Sequence, residues 1–365
     1  MSNTRATAAD AAGLDTFPRL LMHHARQRPN RPAMREKEYG IWQTYTWAEV
    51  AERVRSIASG LAELGFKRGD RLAVVGDNRP RLYWSVAAAQ CLGGIPVMMY
   101  QDAVAQEMAY VMQDAEIRFA CVEDQEQVDK MLEIKGELPL LEHVIYDDPR
   151  GLRHYNQTFL HGLDELLEMG RIHDQNHPDF LGNEIDKGSP EDVSVMLYTS
   201  GTTGKPKGVC QSHAAFIAAA RGGCSFDSLT DQEDILSYLP MAWVGDHLFS
   251  YAQALVAGFT INCPESGETV MGDLREIGPT YYFAPPRVFE NLLTQVMIRM
   301  EDASSIKRSV FQHFMDVAKR CGADILDGKP VSANDRLHYA LGNILVYGPL
   351  KNVLGMSRIS VGYTA

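Results

Sequence analysis

The chain has 365 residues with 45% hydrophobic and 22% charged side chains, a composition ordinary for a soluble globular protein with a sizeable core. Its formal net charge of −12 argues against general nucleic-acid binding, which needs clustered basic charge. The six cysteines lie far apart without a C-x-x-C pair, which argues against a disulfide scaffold or a zinc site and fits a reducing compartment.

Residues 1–15, MSNTRATAADAAGLD, are predicted to be disordered. They lack the positive start and apolar core of a secretion signal. The most apolar stretch, residues 85–100, is interrupted by glycines and Pro96 and is shorter than the ~20 residues that a membrane-spanning helix needs. We therefore expect a cytoplasmic protein that contacts a membrane peripherally at most.

Strands and helices alternate along residues 16–190, which predicts a first α/β subdomain. Strands are predicted at 71–76, 95–100, 118–122 and 143–146, and helices at 47–64, 80–91 and 125–135. Residues 149–190 are polar and rich in His, Asp, Asn and Gly. That composition favours a variable loop region at a subdomain boundary.

Residues 191–365 are predicted to form a second α/β subdomain with a helical insertion. Its strands are predicted at 193–197, 235–239, 259–263, 281–284 and 359–363. Ser212 is placed to cap a helix at 213–221, and a further helix is predicted at 247–256. Three more helices are predicted within 287–300, 306–320 and 333–345.

The segment 198–209, YTSGTTGKPKGV, carries the strongest functional signal in the chain. Glycines let the backbone fold tightly and point successive N–H groups into one concavity, which binds anions. Hydroxyl groups add donors without bulk, and lysine adds a charge suited to phosphate. The segment therefore predicts a polyphosphate cradle rather than an ordinary polar surface loop.

The Walker loop of P-loop ATPases, G-x-x-x-x-G-K-[ST], does not fit this segment. Gly201 and Gly204 are too close together in the sequence, and Lys205 is followed by Pro206 rather than by Ser or Thr. The segment instead resembles the signature loop of the AMP-forming adenylate ligases, which include acyl-CoA synthetases, luciferases and peptide-synthetase adenylation domains. Weaker similarities to these ligases follow in order along residues 16–365, at 44–47, 69–71, 93–97 and 279–288.

The resemblance implies the fold of the family's large amino-terminal domain, an α/β fold in which β-sheets are flanked by helices in layered subdomains. It implies that the phosphates of ATP are bound by Thr199, Ser200, Gly201, Thr202, Thr203, Gly204 and Lys207. Lys207 and Thr202 are the predicted catalytic residues. No metal-ligand set of protein side chains is predicted.

The resemblance also implies an activity, in which ATP and Mg²⁺ activate a carboxylate to an acyl-adenylate and coenzyme A then accepts the acyl group. The helical segment 287–350 is similar to an insertion of long-chain and very-long-chain acyl-CoA synthetases, so a long-chain fatty acid is the expected substrate. Three alternatives stay open: an aryl-CoA ligase, a fatty-acyl-AMP ligase that loads a carrier protein, and a non-catalytic nucleotide-binding fragment. The expected partners are small molecules, without nucleic acid.

The run LPMAWVGDH, residues 239–247, departs from the family pattern. Trp243 takes a position where the family usually has a histidine or aromatic residue near the acyl site. It is predicted either to gate an acyl tunnel, since its ring is large and apolar with one N–H donor, or to be a core residue under the nucleotide site. Trp243, Gly245 and Asp246 are the predicted substrate residues, whereas His247 is displaced and is not predicted to be catalytic.

The family's motif for adenine and Mg²⁺, aromatic-Gly-x-Thr-Glu, is not found by Ala365, although residues 362–365, GYTA, resemble it superficially. The family's small carboxy-terminal domain with its adenylation lysine is likewise not found. We therefore expect this sequence to be the amino-terminal portion of a ligase and to be inactive alone.

Overall fold

The computed structural model describes residues 13–199 and 204–364, and they divide into two compact units between Gly267 and Glu268. Residues 1–12, most of the segment predicted to be disordered, lie outside the described residues. The predicted subdomain boundary near residue 190 stays a prediction.

The first unit has eleven described strands, of which β3, β4, β5, β6, β8, β10 and β11 come close to predicted positions, whereas β1, β2, β7 and β9 were not predicted. They are β1 Pro32–Glu38, β2 Ile41–Thr46, β3 Arg71–Val75, β4 Ile95–Met99, β5 Phe119–Val122, β6 His143–Tyr146, β7 Leu160–Gly162, β8 Val193–Thr199, β9 Lys207–Ser212, β10 Asp234–Leu236 and β11 Thr260–Cys263. One sheet has the order β7-β6-β5-β3-β4-β8-β9, in which β9 alone is antiparallel to its neighbour among the described strands. In the second sheet, β10, β11 and β1 are parallel and β2 pairs antiparallel with β1.

Helices connect these strands. They are α1 Phe17–Gln27, α2 Trp47–Glu63, α3 Pro80–Cys91, α4 Ala105–Asp114, α5 Gln125–Ile134, α6 Leu163–Asn176, α7 Phe180–Asp186, α8 His213–Phe226, α9 Val244–Asp246 and α10 Gln253–Ala257, with a 3₁₀ turn at Lys135–Glu137 and a π-helical turn at His247–Ala252. Strands β3, β4 and β5 are buried along almost their whole length. Continuous burial means that both faces of the sheet are covered, which confirms the predicted α/β class.

Local signals located the starts of α3 and α8 correctly. Ser212 Oγ accepts a hydrogen bond from the Ala215 N–H at 3.2 Å, so the predicted cap of α8 is confirmed. Helix α3 begins at Pro80, where the missing N–H costs no intrahelical bond.

The prediction of a loop region at 149–190 was wrong, because this segment contains β7, α6 and α7. The buried positions of α6 are Leu163, Leu166, Leu167 and Gly170. Their spacing of three, four and seven residues is the period of one helix face. Because most residues of the segment are polar, this helical period was not recognised in the sequence.

Helices α2 and α6 pack backbone to backbone at two glycines. A Cβ on Gly170 would lie 1.7 Å from the carbonyl oxygen of Ser56, and a Cβ on Gly60 would lie 2.4 Å from the carbonyl oxygen of Leu166. Real Cβ atoms do not approach other atoms this closely, so only glycine permits this helix separation. The two glycines thus fix the position of α2 against α6. Helix α2 follows the hairpin of β1 and β2.

The second unit is mainly helical. It contains β12 Tyr281–Phe283, paired in parallel with β13 Val361–Tyr363, and helices α11 Val270–Ile277, α12 Pro286–Glu301, α13 Ser305–Val317, α14 Ala323–Leu326, α15 Ala333–Gly342 and α16 Gly348–Val353, with π-helical turns at Ala318–Gly322 and Asn343–Tyr347. A small core of Phe314, Val346 and Tyr347 holds α13 and the turn before α16 together. Within residues 13–199 and 204–364, no helix has the length and apolar character needed to cross a bilayer.

Candidate functional site

The glycine-rich segment connects two strands of a β-hairpin. Strand β8 lies parallel to β4 inside the sheet, and β9 returns antiparallel to β8 with Thr199 opposite Lys207. The predicted phosphate-binding residues Ser200, Gly201, Thr202 and Thr203 lie between them and outside the described residues. Strand β8 was predicted from the sequence, whereas β9, and with it the hairpin, was not.

Three predicted phosphate-binding residues, Thr199, Gly204 and Lys207, border the loop within the described chain. Thr199 and Lys207 are exposed at the same end of the hairpin. Gly204 has φ of +91°, in the left-handed region that glycine adopts without strain. The Lys207 side chain makes no ion pair with a carboxylate of residues 13–199 or 204–364, so its charge is available to an anion.

Helix α4 holds both flanks of the loop in place. The Tyr198 hydroxyl donates a hydrogen bond to Asp114 Oδ2 at 2.6 Å, and the Tyr110 hydroxyl donates to the carbonyl oxygen of Pro206 at 3.3 Å. Lys205 Nζ lies 5.2 Å from the centre of the Tyr110 ring, within range of a cation–π interaction. Burial and the hydrogen bond to Asp114 raise the pKa of Tyr198, so its hydroxyl stays a donor at neutral pH.

Asp246, a predicted substrate residue, lies at the centre of a buried polar network. Its carboxylate accepts hydrogen bonds from the Tyr83 hydroxyl at 2.6 Å, the Ser237 hydroxyl at 2.8 Å and the Asn78 amide at 3.2 Å. Burial raises the pKa of Asp246 to about 6, and hydrogen bonds from these donors and from Ser250 oppose the shift. The carboxylate thus holds its segment against α3 and β10, while direct contact with a substrate stays a prediction.

The partners of Asp246 were not found by sequence reasoning. Asn78 and Tyr83 precede it by 168 and 163 positions, and Ser237 precedes it by 9. No spacing rule connects residues that far apart, and only the fold brings them together. The hydrogen-bond network around Asp246 therefore could not be predicted from a single sequence.

Trp243 and Gly245, the other two predicted substrate residues, lie side by side. Trp243 is half-buried and Gly245 is buried. A Cβ on Gly245 would lie 2.9 Å from Cε3 of the Trp243 ring, so glycine leaves room for the indole. Whether Trp243 gates an acyl site or packs under a nucleotide stays a prediction.

Buried histidines lie on the other side of the same segment. His247 packs edge-on against Phe17 and Phe216, with ring centres 6.0 and 4.9 Å away. His213 accepts a hydrogen bond at Nδ1 from the Phe17 N–H at 3.3 Å. Burial lowers the pKa of His213 to about 4 and that of His247 to about 3, so both are neutral at pH 7.

We expect the free energy of unfolding to fall as the pH decreases from about 6.5 towards about 4, in part because of His213. A group whose pKa is lower in the folded state stabilises that state above its unfolded pKa, and the contribution is lost as the pH falls towards the folded value. Protonation of Nδ1 would also break the hydrogen bond from Phe17. A drop from 6.5 to about 4 corresponds to a contribution on the order of 3 kcal/mol.

Urea unfolding between about pH 7.5 and about pH 4.5 measures this dependence. The variant His213→Asn keeps an acceptor near Nδ1 but does not titrate, so its stability should fall less steeply. Other buried groups also contribute to the pH dependence, but they are present in both proteins. The pKa values of His247 and His24 are also lowered, whereas the raised pKa of Asp246 acts in the opposite direction. If the free energy of unfolding fell equally steeply with decreasing pH in the variant and the wild type, the contribution assigned to His213 would be contradicted.

Within residues 13–199 and 204–364, no group of three or more His, Cys, Asp or Glu side chains could hold a metal ion. Thr199 and Lys207, the predicted phosphate-binding side chains that border the loop, offer a hydroxyl donor and a positive charge. This donor set suits an anion rather than a bare cation.

Comparisons with known proteins find relatives among fatty-acid–CoA ligases. The long-chain-fatty-acid–CoA ligase ACSBG1 of Rattus norvegicus is 26% identical over 341 residues, which cover 90% of this chain and 45% of that protein. The long-chain-fatty-acid–CoA ligase ACSBG2 of Xenopus laevis is 27% identical over 368 residues, which cover 98% of this chain and 48% of that protein. This chain thus spans about half the length of these relatives.

Solved structures support the fold. The anthranilate CoA ligase AuaEII, crystallised with anthranoyl-AMP, has a TM-score of 0.64 at 19% identity, and the match covers 74% of this chain and 50% of that one. The fatty acyl-adenylate ligase of L. pneumophila, crystallised with acyl adenylate and pyrophosphate, has a TM-score of 0.58 at 16% identity, with 76% and 45% covered. The model of the family described as AMP-binding enzyme matches residues 21–356. The resemblance to the adenylate-forming ligases is confirmed, and the chain belongs to the AMP-binding enzyme family.

Proposed function

We propose that this chain binds the phosphates of ATP during activation of a long-chain fatty acid to acyl-adenylate and then to acyl-CoA. The proposal rests on the position of Lys207. This lysine is exposed, forms no ion pair in the described chain, and lies at the loop end of a hairpin whose segment 198–209 reads YTSGTTGKPKGV. The names of the rat and Xenopus relatives support a long-chain fatty acid as the substrate.

In the first step, a carboxylate oxygen of the fatty acid attacks the α-phosphorus of ATP. The bond from the α-phosphorus to the bridging oxygen breaks, and pyrophosphate leaves with the electron pair. Negative charge grows on the departing phosphates, where the charge of Lys207 and donors of the loop stabilise it. The protein contributes positioning and charge rather than covalent chemistry, as in phosphoryl transfer generally. Mg²⁺ enters with ATP as part of the nucleotide substrate.

In the second step, the thiol of coenzyme A attacks the carbonyl carbon of the acyl-adenylate. The bond from that carbon to the phosphate oxygen breaks, AMP leaves, and the thiol proton passes to solvent. The side chains of α4 act earlier, because Asp114 and Tyr110 hold the flanks of the loop at Tyr198 and Pro206 before any ligand binds. Flanks held in this way lose less entropy when the phosphates bind.

Exchange of radioactive pyrophosphate into ATP tests the proposal, because exchange requires reversible formation of an acyl-adenylate. With the protein in its native length, we expect palmitate or oleate to stimulate exchange at least about tenfold over no acid, and benzoate and anthranilate to stimulate it far less. Stimulation by benzoate alone would indicate an aryl-CoA ligase. ATP binding without exchange under any acid would indicate a non-catalytic nucleotide-binding protein and would overturn the proposal.

The acceptor is tested separately from the acid. With palmitate and ATP present, coenzyme A should release AMP and form palmitoyl-CoA. Transfer only to a phosphopantetheine carrier protein, with none to coenzyme A, would identify a fatty-acyl-AMP ligase instead.

A further inference from the structure

Helix α3 carries a buried glutamine that connects two separate parts of the first unit. The amide nitrogen of Gln90 donates a hydrogen bond to the carbonyl oxygen of Ser194 in β8 at 2.8 Å, and its amide oxygen accepts one from the Tyr251 hydroxyl at 2.7 Å. A carbonyl oxygen can only accept, so the amide must face Ser194 with its nitrogen. Burial raises the pKa of Tyr251, so its hydroxyl stays a donor at neutral pH.

The first partner, Ser194, lies at an irregular point of β8. The register of β8 against β9 shifts between Val193 and Val195, as it does at a β-bulge. The Ser194 hydroxyl donates to the carbonyl oxygen of Gln211 in β9 at 3.0 Å, while its own carbonyl oxygen accepts from Gln90. The glutamine thus holds the hairpin at this irregular point, from which β8 leads into the glycine-rich loop.

The second partner, Tyr251, belongs to the segment that contains the predicted substrate residues. It is buried in the π-helical turn His247–Ala252, and its ring is stacked on that of Tyr83, with 6.1 Å between ring centres and 8° between ring planes. Tyr83 in turn donates its hydroxyl hydrogen bond to Asp246. Helix α3 therefore holds this segment at two points, Tyr83 and Gln90, whose spacing is that of one helix face.

Pairing at both ends gives Gln90 a role that apolar packing does not supply. Hydrogen bonds weaken steeply when their distance or angle changes. If the segment of Tyr251 moved away from β8, at least one buried polar group would lose its partner. A fully paired buried network therefore selects one spacing between the two segments.

We propose that Gln90 is a positioning residue, which fixes the segment of Asp246 and Tyr251 relative to β8 and so aligns the fatty-acid carboxylate with the α-phosphorus of ATP. This inference rests on the proposed function, in which β8 leads to the ATP phosphates and residues 243–246 border the acid. Two reactants held out of line react slowly, and a misplacement of about 1 Å can lower a rate by about 10²-fold. Gln90 acts through Ser194 and Tyr251.

Fatty-acid-dependent pyrophosphate exchange by two variants in the native-length protein tests this role. Gln90→Met keeps the length of the side chain but removes both hydrogen bonds, and Tyr251→Phe removes only the hydroxyl. At saturating ATP and palmitate, we expect Gln90→Met to lower the exchange rate about tenfold or more, while the KM for ATP stays within about twofold. In the double variant, Tyr251→Phe should add less than about twofold, because both changes break the same connection.

Ser85→Ala is the matched control, since Ser85 is buried in the same helix. Its hydroxyl donates to the carbonyl oxygen of Arg81 at 3.0 Å and accepts from Cys121 Sγ at 3.3 Å, and neither partner belongs to β8 or to the segment of Tyr251. The control should lose stability but change exchange by less than about twofold. Circular dichroism checks the folding of each variant.

The outcomes separate the positioning role from the proposed function. A folded Gln90→Met protein with the wild-type rate, an equal loss in Ser85→Ala, or a loss confined to the KM for ATP would overturn the positioning role and leave the proposed function intact. If Gln90→Met does not fold, Tyr251→Phe decides: a rate lowered about threefold or more supports the role, and the wild-type rate overturns it. Absence of fatty-acid-dependent exchange in the wild type would refute the proposed function and the positioning role with it.

Discussion

Replacing Lys207 by alanine is expected to lower fatty-acid-dependent pyrophosphate exchange by about 10²-fold or more. Loss of a donor that stabilises developing charge in a transition state typically has an effect of this size. Lys207 is exposed and makes no ion pair within residues 13–199 or 204–364, so its removal should not perturb folding. The measurement is the exchange rate at saturating ATP and palmitate, with thermal unfolding of both proteins recorded alongside.

Lys205 provides the control, since it lies in the same segment but its Nζ lies over the ring of Tyr110. Lys205→Ala should change exchange by less than about fivefold, because a partly exposed cation–π contact contributes only about 1 kcal/mol. Lys207→Arg should restore part of the rate, since it keeps the charge but not the compact ammonium group. An unchanged rate in Lys207→Ala would remove this lysine from the site.

Replacing Gly170 by alanine is expected to destabilise the protein by about 3 kcal/mol. The new Cβ would lie 1.7 Å from the carbonyl oxygen of Ser56, so α6 must move away from α2. The obstacle is backbone, which cannot rotate aside as a long side chain can. Urea unfolding followed by circular dichroism measures the loss.

Gly222→Ala is the matched control. Gly222 also lies inside a helix, α8, but a Cβ there meets no atom within 4 Å. Alanine has the higher helix propensity, so this variant should gain about 0.5–1 kcal/mol. If both variants shifted stability in the same direction by similar amounts, the close packing of α2 on α6 would not be the cause.

Features encoded in short stretches of sequence were predictable. The segment at 198–209, which is predicted to bind phosphates, is recognisable because glycines, hydroxyls and lysines must be adjacent to form one concavity. Helix α3 begins at Pro80 and α8 is capped by Ser212, two signals that need only neighbouring residues. Strands β3 and β5 were predicted because buried parallel strands are continuous apolar runs.

Features that depend on distant partners were not predictable. Strand β9, KGVCQS, has no regular alternation of apolar and polar residues, and it is held by pairing with β8. Helix α4 begins after Val104, which supplies no side-chain cap. The donors to Asp246 come from α3 and from residues beside it, and the chain alone does not reveal which of them meet.

The most direct test of the proposed chemistry follows an oxygen atom from the fatty acid into AMP. Palmitate labelled with oxygen-18 in its carboxylate is incubated with ATP, Mg²⁺, coenzyme A and the protein in its native length, and the nucleotide products are analysed by mass spectrometry. Attack of the carboxylate on the α-phosphorus forms a bond that thiolysis later leaves on AMP. We predict one oxygen-18 atom in AMP for each acyl-CoA formed. Unlabelled AMP, ADP as the product, or no palmitate-dependent cleavage of ATP would contradict the proposal.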